Sequence, residues 1–175
     1  CRLVGSEMCI RDSEGTETNA LPVYVGSHLD TQPTGGKYDG VLGVLGGLEI
    51  IRTLNELDIR TKHPIVVVNF TNEEGTRFAP PMMASGVFAG VHELQWAYDR
   101  KDAAGKTFGE EIKRIGWIGD EEVGSRKMHA FFELHIEQGP ILEAENTDIG
   151  VVTHGQGLNW IQVTLNGRES HTLSL

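Results

Sequence analysis

The pattern of apolar and polar positions predicts two buried strands joined by one long helix. Residues 21–27 and 64–70 are short, apolar and rich in β-branched side chains, and each run gives way to polar residues, which is typical of a buried strand. Between them, residues 41–57 repeat apolar side chains at three- and four-residue steps, as a helix does. The strand–helix–strand order favours a parallel α/β sheet. Glycines inside the helix predict close packing against that sheet. These glycines are Gly43, Gly46 and Gly47.

The remainder of the chain predicts shorter elements. Residues 78–86 predict a short helix or turn, with prolines at its entry, and residues 108–115 predict one amphipathic helix. Residues 130–140 and 147–153 each predict a strand. Residues 160–167 alternate strongly between apolar and polar side chains, so we expect a strand with one covered face.

The glycines at 155–157 predict a domain boundary. We therefore expect a first, partial domain over residues 14–156 and the start of a second over 157–172. Residues 1–13 have neither helical nor strand periodicity, and with residues 173–175 they resemble translated sequencing-adapter ends. The alternative for residues 1–13 is an ordinary disordered tail.

Composition narrows the class of protein. The 175 residues include 39% hydrophobic side chains, enough for the core of one ordinary domain. The formal net charge of −10 argues against a nucleic-acid partner. We expect neither a membrane span nor a signal peptide, because no apolar run is suitable. Cys1 and Cys9 both lie near the start of the chain and suggest no disulfide framework. The prediction is a soluble, cytoplasmic protein.

Candidate metal-binding residues lie near the ends of the predicted strands and in the adjoining loops. In an open α/β sheet such loops converge at the carboxyl edge, where ligands bind. Imidazole nitrogen and carboxylate oxygen together suit zinc or manganese, and a mixed set is typical of catalytic sites. The candidates are His28, Asp30, Asp39, Glu73, Glu74 and His135.

The adjacent glutamates have two interpretations. Taken alone, Glu73 and Glu74 are a solvated acidic loop. Alternatively, because successive side chains leave a strand on opposite faces, one binds a metal while the other transfers a proton. A separate hypothesis concerns Asp30, two residues beyond His28, whose carboxylate would accept the second N–H of the His28 imidazole and fix its tautomer.

Three segments in order resemble the motifs of M20-type metallohydrolases. They are residues 26–33 with 36–40, then 72–78, then 133–140, and the resemblance extends over residues 21–172. The hydantoinase/carbamoylase branch is the most similar: N-carbamoyl-L-amino-acid hydrolases, β-ureidopropionases and allantoate amidohydrolases. Residues 31–33, Thr-Gln-Pro, resemble the first two of these more than the third.

The resemblance implies a three-layer αβα, zinc-aminopeptidase-like catalytic domain, followed by the first strand of an α+β lid and dimerisation domain. It also implies two divalent metal ions, Zn²⁺ or Mn²⁺, per full-length subunit. His28, Asp39 and His135 would bind one ion, and Asp39 would be shared with a second ion bound by Glu74. Glu73 would be the general base, and the peptide bond after Asp39 would be cis.

Further roles are implied for the last motif and the lid. Gln138 would contact the substrate, and His171 would reach the active site of a neighbouring subunit and stabilise the oxyanion, which implies a homodimer. Arg77 would be either substrate-facing or part of a structural ion pair. The family's second metal needs one more histidine, which does not follow His171, and His154 is no replacement. We therefore expect this chain alone to be incomplete, inactive and poorly soluble.

The predicted function is hydrolysis of the ureido C–N bond of N-carbamoyl amino acids to amino acid, ammonia and CO₂. Allantoate hydrolysis is one alternative, and a peptidase or deacylase is another, although Gln138 and residues 31–33 argue against the latter. A metal-binding interaction domain without activity is the non-enzymatic alternative. The presence of Glu73 argues against it, because a purely structural site has no use for a base.

Overall fold

The computed structural model describes most of the chain: residues 2–4, 8–159, 161 and 163–167, with the backbone alone for residues 2–4 and 8–12. The chain divides into two compact units, Cys1–Ile136 and Glu137–Leu175, which are described separately below. The domain boundary predicted at residues 155–157 falls inside the second unit and stays a prediction.

Five strands of the first unit form one mixed sheet, in the order β1-β2-β4-β3-β5. Strands β3, β4 and β5 are parallel, whereas β1 and β2 pair in antiparallel fashion at the β4 edge. The parallel arrangement predicted for the two apolar runs is thus confirmed. The strands are β1 (Arg2–Val4), β2 (Met8–Ser13), β3 (Val23–Ser27), β4 (Ile65–Phe70) and β5 (Ala130–Phe132).

Helix α1 (Asp39–Glu56) covers one face of the sheet. Its Val44 and Ile51 form a buried cluster with Val25 of β3 and Val67 of β4. The predicted close packing of the helix is confirmed at Gly47, where an added Cβ would lie 3.1 Å from a Val25 methyl carbon. Burial of these side chains on both elements removes apolar surface from water, which is the main force that holds them together.

The opposite face of the sheet is covered by the segments that follow β4. Tyr24, Val66 and Val68 are buried there against Phe88, the last residue of α2. Layers on both faces agree with the predicted αβα architecture. Beyond α2, helices α3 and α4 pack together, and α4 begins with a capping box formed by Thr107 and Glu110. The remaining helices are α2 (Met83–Phe88), α3 (Leu94–Tyr98), α4 (Phe108–Arg114) and α5 (Ile141–Ala144), the last in the second unit.

Three of the predicted strands are wrong in length or absent. The strand predicted over residues 130–140 ends at Phe132, where its pairing with β3 ends. Residues 147–153 form no strand, nor do the described residues of 160–167, and their apolar side chains are exposed. A strand is stabilised by hydrogen bonds to a neighbouring strand, and none of the described strands pairs with these segments.

Part of residues 1–13 forms strands, although the sequence pattern there predicts none, and the adapter or disordered-tail assignment stays a prediction. Met8–Ser13 pairs along the whole of β4, from Met8↔Phe70 to Ser13↔Ile65. Edge strands offer unpaired backbone groups, so even a segment without a strand pattern gains hydrogen bonds there. Among the described residues, none of the helices combines the length and apolar character needed to cross a bilayer.

Candidate metal centre

The carboxyl ends of the parallel strands bring the predicted ligands of the first unit together. His28 follows β3 directly, Asp39 begins α1, and His135 lies three residues beyond β5. One donor atom from each of these three residues lies within 4.8 Å of the other two. The convergence expected at this edge of the sheet is therefore present in the structure.

One carboxylate oxygen faces both imidazoles. Asp39 Oδ1 lies 3.2 Å from His135 Nε2 and 3.9 Å from His28 Nε2, and the two rings stack with centroids 5.8 Å apart. His28 is 2% exposed and Asp39 5% exposed. Helix α1 approaches so closely at Gly40 that an added Cβ would overlap the His28 ring. The His28 ring is therefore clamped between the sheet and the start of the helix.

The hydrogen bonds of the two histidines assign their tautomers. His28 Nδ1 lies 2.7 Å from the Asp30 carbonyl oxygen, and His135 Nδ1 lies 2.9 Å from the Ile136 carbonyl oxygen. Because a carbonyl oxygen only accepts, both Nδ1 atoms carry the hydrogen when the rings are neutral. Both Nε2 lone pairs then face the Asp39 carboxylate. Two lone pairs and a carboxylate repel one another unless a cation lies between them.

The two glutamates lie beyond the strand rather than on it. Strand β4 ends at Phe70, and Asn72 has a left-handed backbone with φ of 59°. The inference that Glu73 and Glu74 leave a strand on opposite faces is therefore wrong, because the chain has already turned. Glu73 Oε2 lies 3.6 Å from His28 Nε2. Glu74 shares a cluster of donor atoms with His28 and Glu73 rather than with Asp39.

Asp30 contacts the glutamates by its side chain and His28 by its backbone. Its carboxylate accepts hydrogen bonds from the backbone N–H groups of Glu73, at 3.1 Å, and of Glu74, at 3.0 Å. Its nearest carboxylate oxygen is 3.9 Å from His28 Nδ1, too far for a hydrogen bond. The predicted contact from carboxylate to imidazole is thus replaced by a carbonyl contact, and the charged group fixes the glutamate loop instead.

Sequence reasoning missed a role for Gln32 and Asn72. Gln32 donates to Glu74 Oε2 at 2.7 Å and accepts from the Thr76 hydroxyl at 3.1 Å. Asn72 is buried and donates to the Phe78 carbonyl at 2.8 Å, which closes the loop that carries both glutamates. The only signal in the sequence is that Gln32 lies in the Thr-Gln-Pro segment and Asn72 directly before the glutamates.

The pKa of the Glu73 carboxyl is raised. Partial burial is the main cause, since it disfavours the charged form, and His28 opposes it. The nearby carboxylates of Glu74, Asp30 and Glu133 raise the pKa further. A carboxylate with a raised pKa is a stronger proton acceptor, which suits a general base.

The predictions for the peptide bond after Asp39 and for Arg77 have opposite outcomes. The peptide bond after Asp39 is not cis, since Ala79–Pro80 is the cis bond in the part of the chain that the structure describes. Asp39 begins a regular helix, and a cis bond at a non-proline residue costs about 2.5–4 kcal/mol. Arg77 makes ion pairs with Asp102 and Glu111, which confirms the structural alternative.

Two predicted site residues do not belong to the described part of the first unit. Gln138 belongs to the second unit, where its backbone is left-handed with φ of 58°. Its predicted contact with a substrate stays a prediction. His171 lies outside the described residues.

The donor set fits a divalent metal ion. Two neutral imidazole nitrogens and a buried carboxylate oxygen are the ligands that zinc accepts in catalytic sites, where three protein ligands leave a position open. The clustering of Glu74 with His28 supplies a further carboxylate. The sharing of Asp39 between two ions stays a prediction.

Comparison with known proteins decides the family. The model of peptidase family M20/M25/M40 matches residues 24–173. The chain belongs to this family. An N-carbamoyl-L-amino-acid amidohydrolase of Rhizobium meliloti is 75% identical over 158 residues, which are 90% of this chain and 38% of that relative. A ureidoglycolate hydrolase of Arabidopsis thaliana is 38% identical over 90% of this chain and 35% of its own length.

A solved relative has the same fold. The crystal structure of an amidase of the hydantoinase/carbamoylase family from Burkholderia multivorans matches with a TM-score of 0.81 and 58% identity. The match covers 83% of this chain and 35% of that structure. The M20 resemblance found in the sequence is therefore confirmed, and this M20 chain spans well under half the length of its relatives.

Proposed function

We propose that the full-length protein is a metal-dependent amidohydrolase that cleaves the ureido C–N bond of N-carbamoyl amino acids. The products are the amino acid, ammonia and CO₂. One observation carries this proposal: His28, Asp39 and His135 converge as a ligand group while Glu73, with its raised pKa, lies beside His28. The 75% identity to the N-carbamoyl-L-amino-acid amidohydrolase of Rhizobium meliloti supports the substrate class.

The residues of this chain have separate tasks in the proposed reaction. When bound, divalent metal ions polarise the ureido oxygen and lower the pKa of water. Glu73 accepts a proton from the attacking water as the new C–O bond forms. It returns that proton to the terminal NH₂ nitrogen as its C–N bond breaks, so that this nitrogen leaves as ammonia. Asp30 holds the Glu73 backbone in place through its N–H group. The carbamate that remains loses CO₂.

A second candidate substrate class is ureidoglycolate, and allantoate belongs to the same chemical group of ureido compounds. The similarity to the ureidoglycolate hydrolase of Arabidopsis thaliana supports it, at a lower identity of 38%. The same site would serve these compounds, because the bond to be broken is again that of a ureido carbon. Side chains outside the metal centre would decide between them.

We further propose two Zn²⁺ or Mn²⁺ ions per full-length subunit and a homodimer. The cluster of Glu74 with His28 and Glu73, next to that of Asp39 with both histidines, supports two neighbouring ions. The dimer rests on the predicted role of His171. A cytoplasmic location stays a prediction from composition.

Ammonia release from the ureido substrates, and amino-acid release from a dipeptide, by the full-length protein test the proposed function. The panel comprises N-carbamoyl-L-amino acids, N-carbamoyl-β-alanine, ureidoglycolate, allantoate and a dipeptide, each after chelation and after addition of Zn²⁺ or Mn²⁺. We expect the N-carbamoyl compounds to have the highest kcat/KM and chelation to abolish turnover. A higher kcat/KM for the dipeptide would overturn the proposal. The 175-residue chain alone is expected to be inactive, and turnover by it would contradict that expectation.

A further inference from the structure

The two histidine ligands lie at matching positions beyond the end of a strand pair. Strands β3 and β5 pair in parallel from Val23↔Ala130 to Val25↔Phe132. His28 is three residues beyond Val25, and His135 is three residues beyond Phe132. The backbone ladder that sets the spacing of the strands has therefore ended before either imidazole is reached. Something else must keep the two rings within reach of Asp39.

A side-chain hydrogen bond crosses this gap. The hydroxyl of Ser27 donates to Glu133 Oε1 at 2.5 Å. Ser27 is only 2% exposed and directly precedes His28, while Glu133 lies two residues before His135. The contact thus links the two segments just before each one presents its imidazole. A bond at this place takes over from the backbone pairing that ends at Phe132.

Helix α1 packs directly on the linked segments. An added Cβ at Gly43 would lie 2.7 Å from Ser27 Cβ and 2.6 Å from the Leu134 carbonyl oxygen. Gly43 is one helical turn beyond Asp39, so the two positions share a face of α1. The helix that presents the carboxylate ligand therefore rests on the same pair of segments that presents the two imidazoles. A change in their spacing would move all three ligands.

We propose that the Ser27–Glu133 hydrogen bond sets the distance between the His28 and His135 rings, which makes Ser27 and Glu133 positioning residues of the metal centre. Glu133 belongs to neither cluster of metal-type donor atoms among the described residues, so it acts through His135 rather than as a ligand. The inference rests on the metal-binding part of the proposed function and is independent of the substrate.

A double-mutant cycle in the full-length protein tests this inference. The variants are Ser27→Ala, Glu133→Ala and the double variant, with Co²⁺ affinity and the visible Co²⁺ spectrum as measurements. We expect each single change to weaken Co²⁺ binding by about 10- to 100-fold and to shift the spectrum. The double variant should bind no more than a few-fold more weakly than the weaker single variant, because both changes break the same bond.

Two controls separate positioning from other roles. Glu133→Gln keeps the length of the side chain and an acceptor oxygen, so its affinity should return to within a few-fold of the original. Glu49→Gln changes an exposed glutamate of α1 that pairs with Arg52, and its Co²⁺ binding should be unchanged. Thermal unfolding of the metal-free variants reports on the fold. Glu133 is exposed, so Glu133→Ala tests the inference even where Ser27→Ala impairs folding.

Several outcomes would overturn the inference. If the losses of Co²⁺ binding free energy in the two single variants add up in the double variant, the two residues act separately. A Glu133→Gln variant as weak as Glu133→Ala would make the carboxylate a ligand. Normal Co²⁺ binding in Glu133→Ala would remove the role altogether. By contrast, absence of turnover on N-carbamoyl substrates with intact Co²⁺ binding would count only against the proposed substrate.

Discussion

Two clusters of charged side chains meet the segment that follows β4, and they differ in charge balance. In one cluster, Arg77 lies 2.8 Å from carboxylate oxygens of both Asp102 and Glu111. In the other, Glu73 lies beside the His28 imidazole and Glu74 accepts a hydrogen bond from the Gln32 amide, rather than either pairing with Lys or Arg among the described residues. Carboxylates that already meet guanidinium groups hold structure. Under the proposed function, a divalent metal ion supplies the counter-charge for the carboxylates that lack such partners.

The first of these, called the balanced cluster below, comprises Arg77, Asp102 and Glu111. It connects the loop that carries Glu73 and Glu74 to helix α4. Arg77 bridges to Asp102, which precedes α4, and to Glu111 within α4, while Arg114 also pairs with Glu111 at 2.9 Å. The Arg77 guanidinium also lies 4.9 Å from the centre of the Phe78 ring. Negative charge is therefore common to both clusters. What distinguishes Glu73 and Glu74 is that, among the described residues, neither pairs with Lys or Arg.

The largest expected effect comes from Glu73, the proposed general base, which together with Glu74 forms the unbalanced cluster. Glu73→Gln should lower kcat by about 10²–10⁴-fold while metal content stays nearly the same, because an amide cannot accept the proton. Steady-state kinetics and metal analysis of the full-length protein measure both quantities. Glu74→Gln is the matched control and should lose metal. Equal loss of metal in Glu73→Gln would place Glu73 among the ligands.

Metal binding should also stabilise the fold through the neighbouring group of His28, Asp39 and His135. Zn²⁺ at 100 times its dissociation constant is expected to raise the free energy of unfolding of the metal-free protein by about 2.7 kcal/mol. Asp39→Asn should lose most of this gain, since its carboxylate faces both imidazoles. Thermal unfolding with and without Zn²⁺ provides the measurement. A gain that persists in Asp39→Asn would mean that the ion binds elsewhere.

A smaller effect is expected at Asp30. An asparagine there offers one acceptor oxygen in place of two, so one of the N–H groups of Glu73 and Glu74 loses its partner. We expect kcat to fall by about 10–100-fold, with the metal at His28 and His135 retained. The Glu49→Gln variant serves again as the reference. An Asp30→Asn variant with kcat within twofold of the original would refute this role.

The balanced cluster should affect stability and pH dependence rather than activity. Hydrogen bonds from Arg114 and Arg77 lower the pKa of Glu111 to about 2. Because the folded-state pKa lies below the unfolded value, the stabilisation is fully present above about pH 5 and is lost as the pH falls towards 2. In urea unfolding, Glu111→Gln should therefore have a lower free energy of unfolding than the original protein at neutral pH. The two values should approach each other near pH 2. A difference that is independent of pH would contradict this account.

The parts of the molecule that follow from local pattern were predictable from sequence. Strands β3 and β4 and helix α1 follow from periodicity, and parallel strands bring their carboxyl ends to one edge, which is why His28, Asp39 and His135 converge as expected. The contacts of the Asp30 carboxylate could not be predicted, because they join residues 43 and 44 positions apart.

Other errors have equally specific causes. The turn after β4 depends on the left-handed backbone of Asn72, and its sequence neighbours carry no clear signal of it. Residues 147–153 have a strand pattern, yet a pattern forms a strand only where another strand can pair with it. The pairing of β2 with β4 shows the reverse case, in which a partner edge orders a segment whose own pattern predicts no strand.

The contact between Gly40 and the His28 ring limits how this protein can be redesigned. Every residue type other than glycine carries a Cβ, and none fits at that position without displacing the ring. Laboratory evolution towards a new substrate would therefore find position 40 closed to variation. Productive changes should accumulate instead in the loops around the metal centre, where side chains can be exchanged without moving an imidazole.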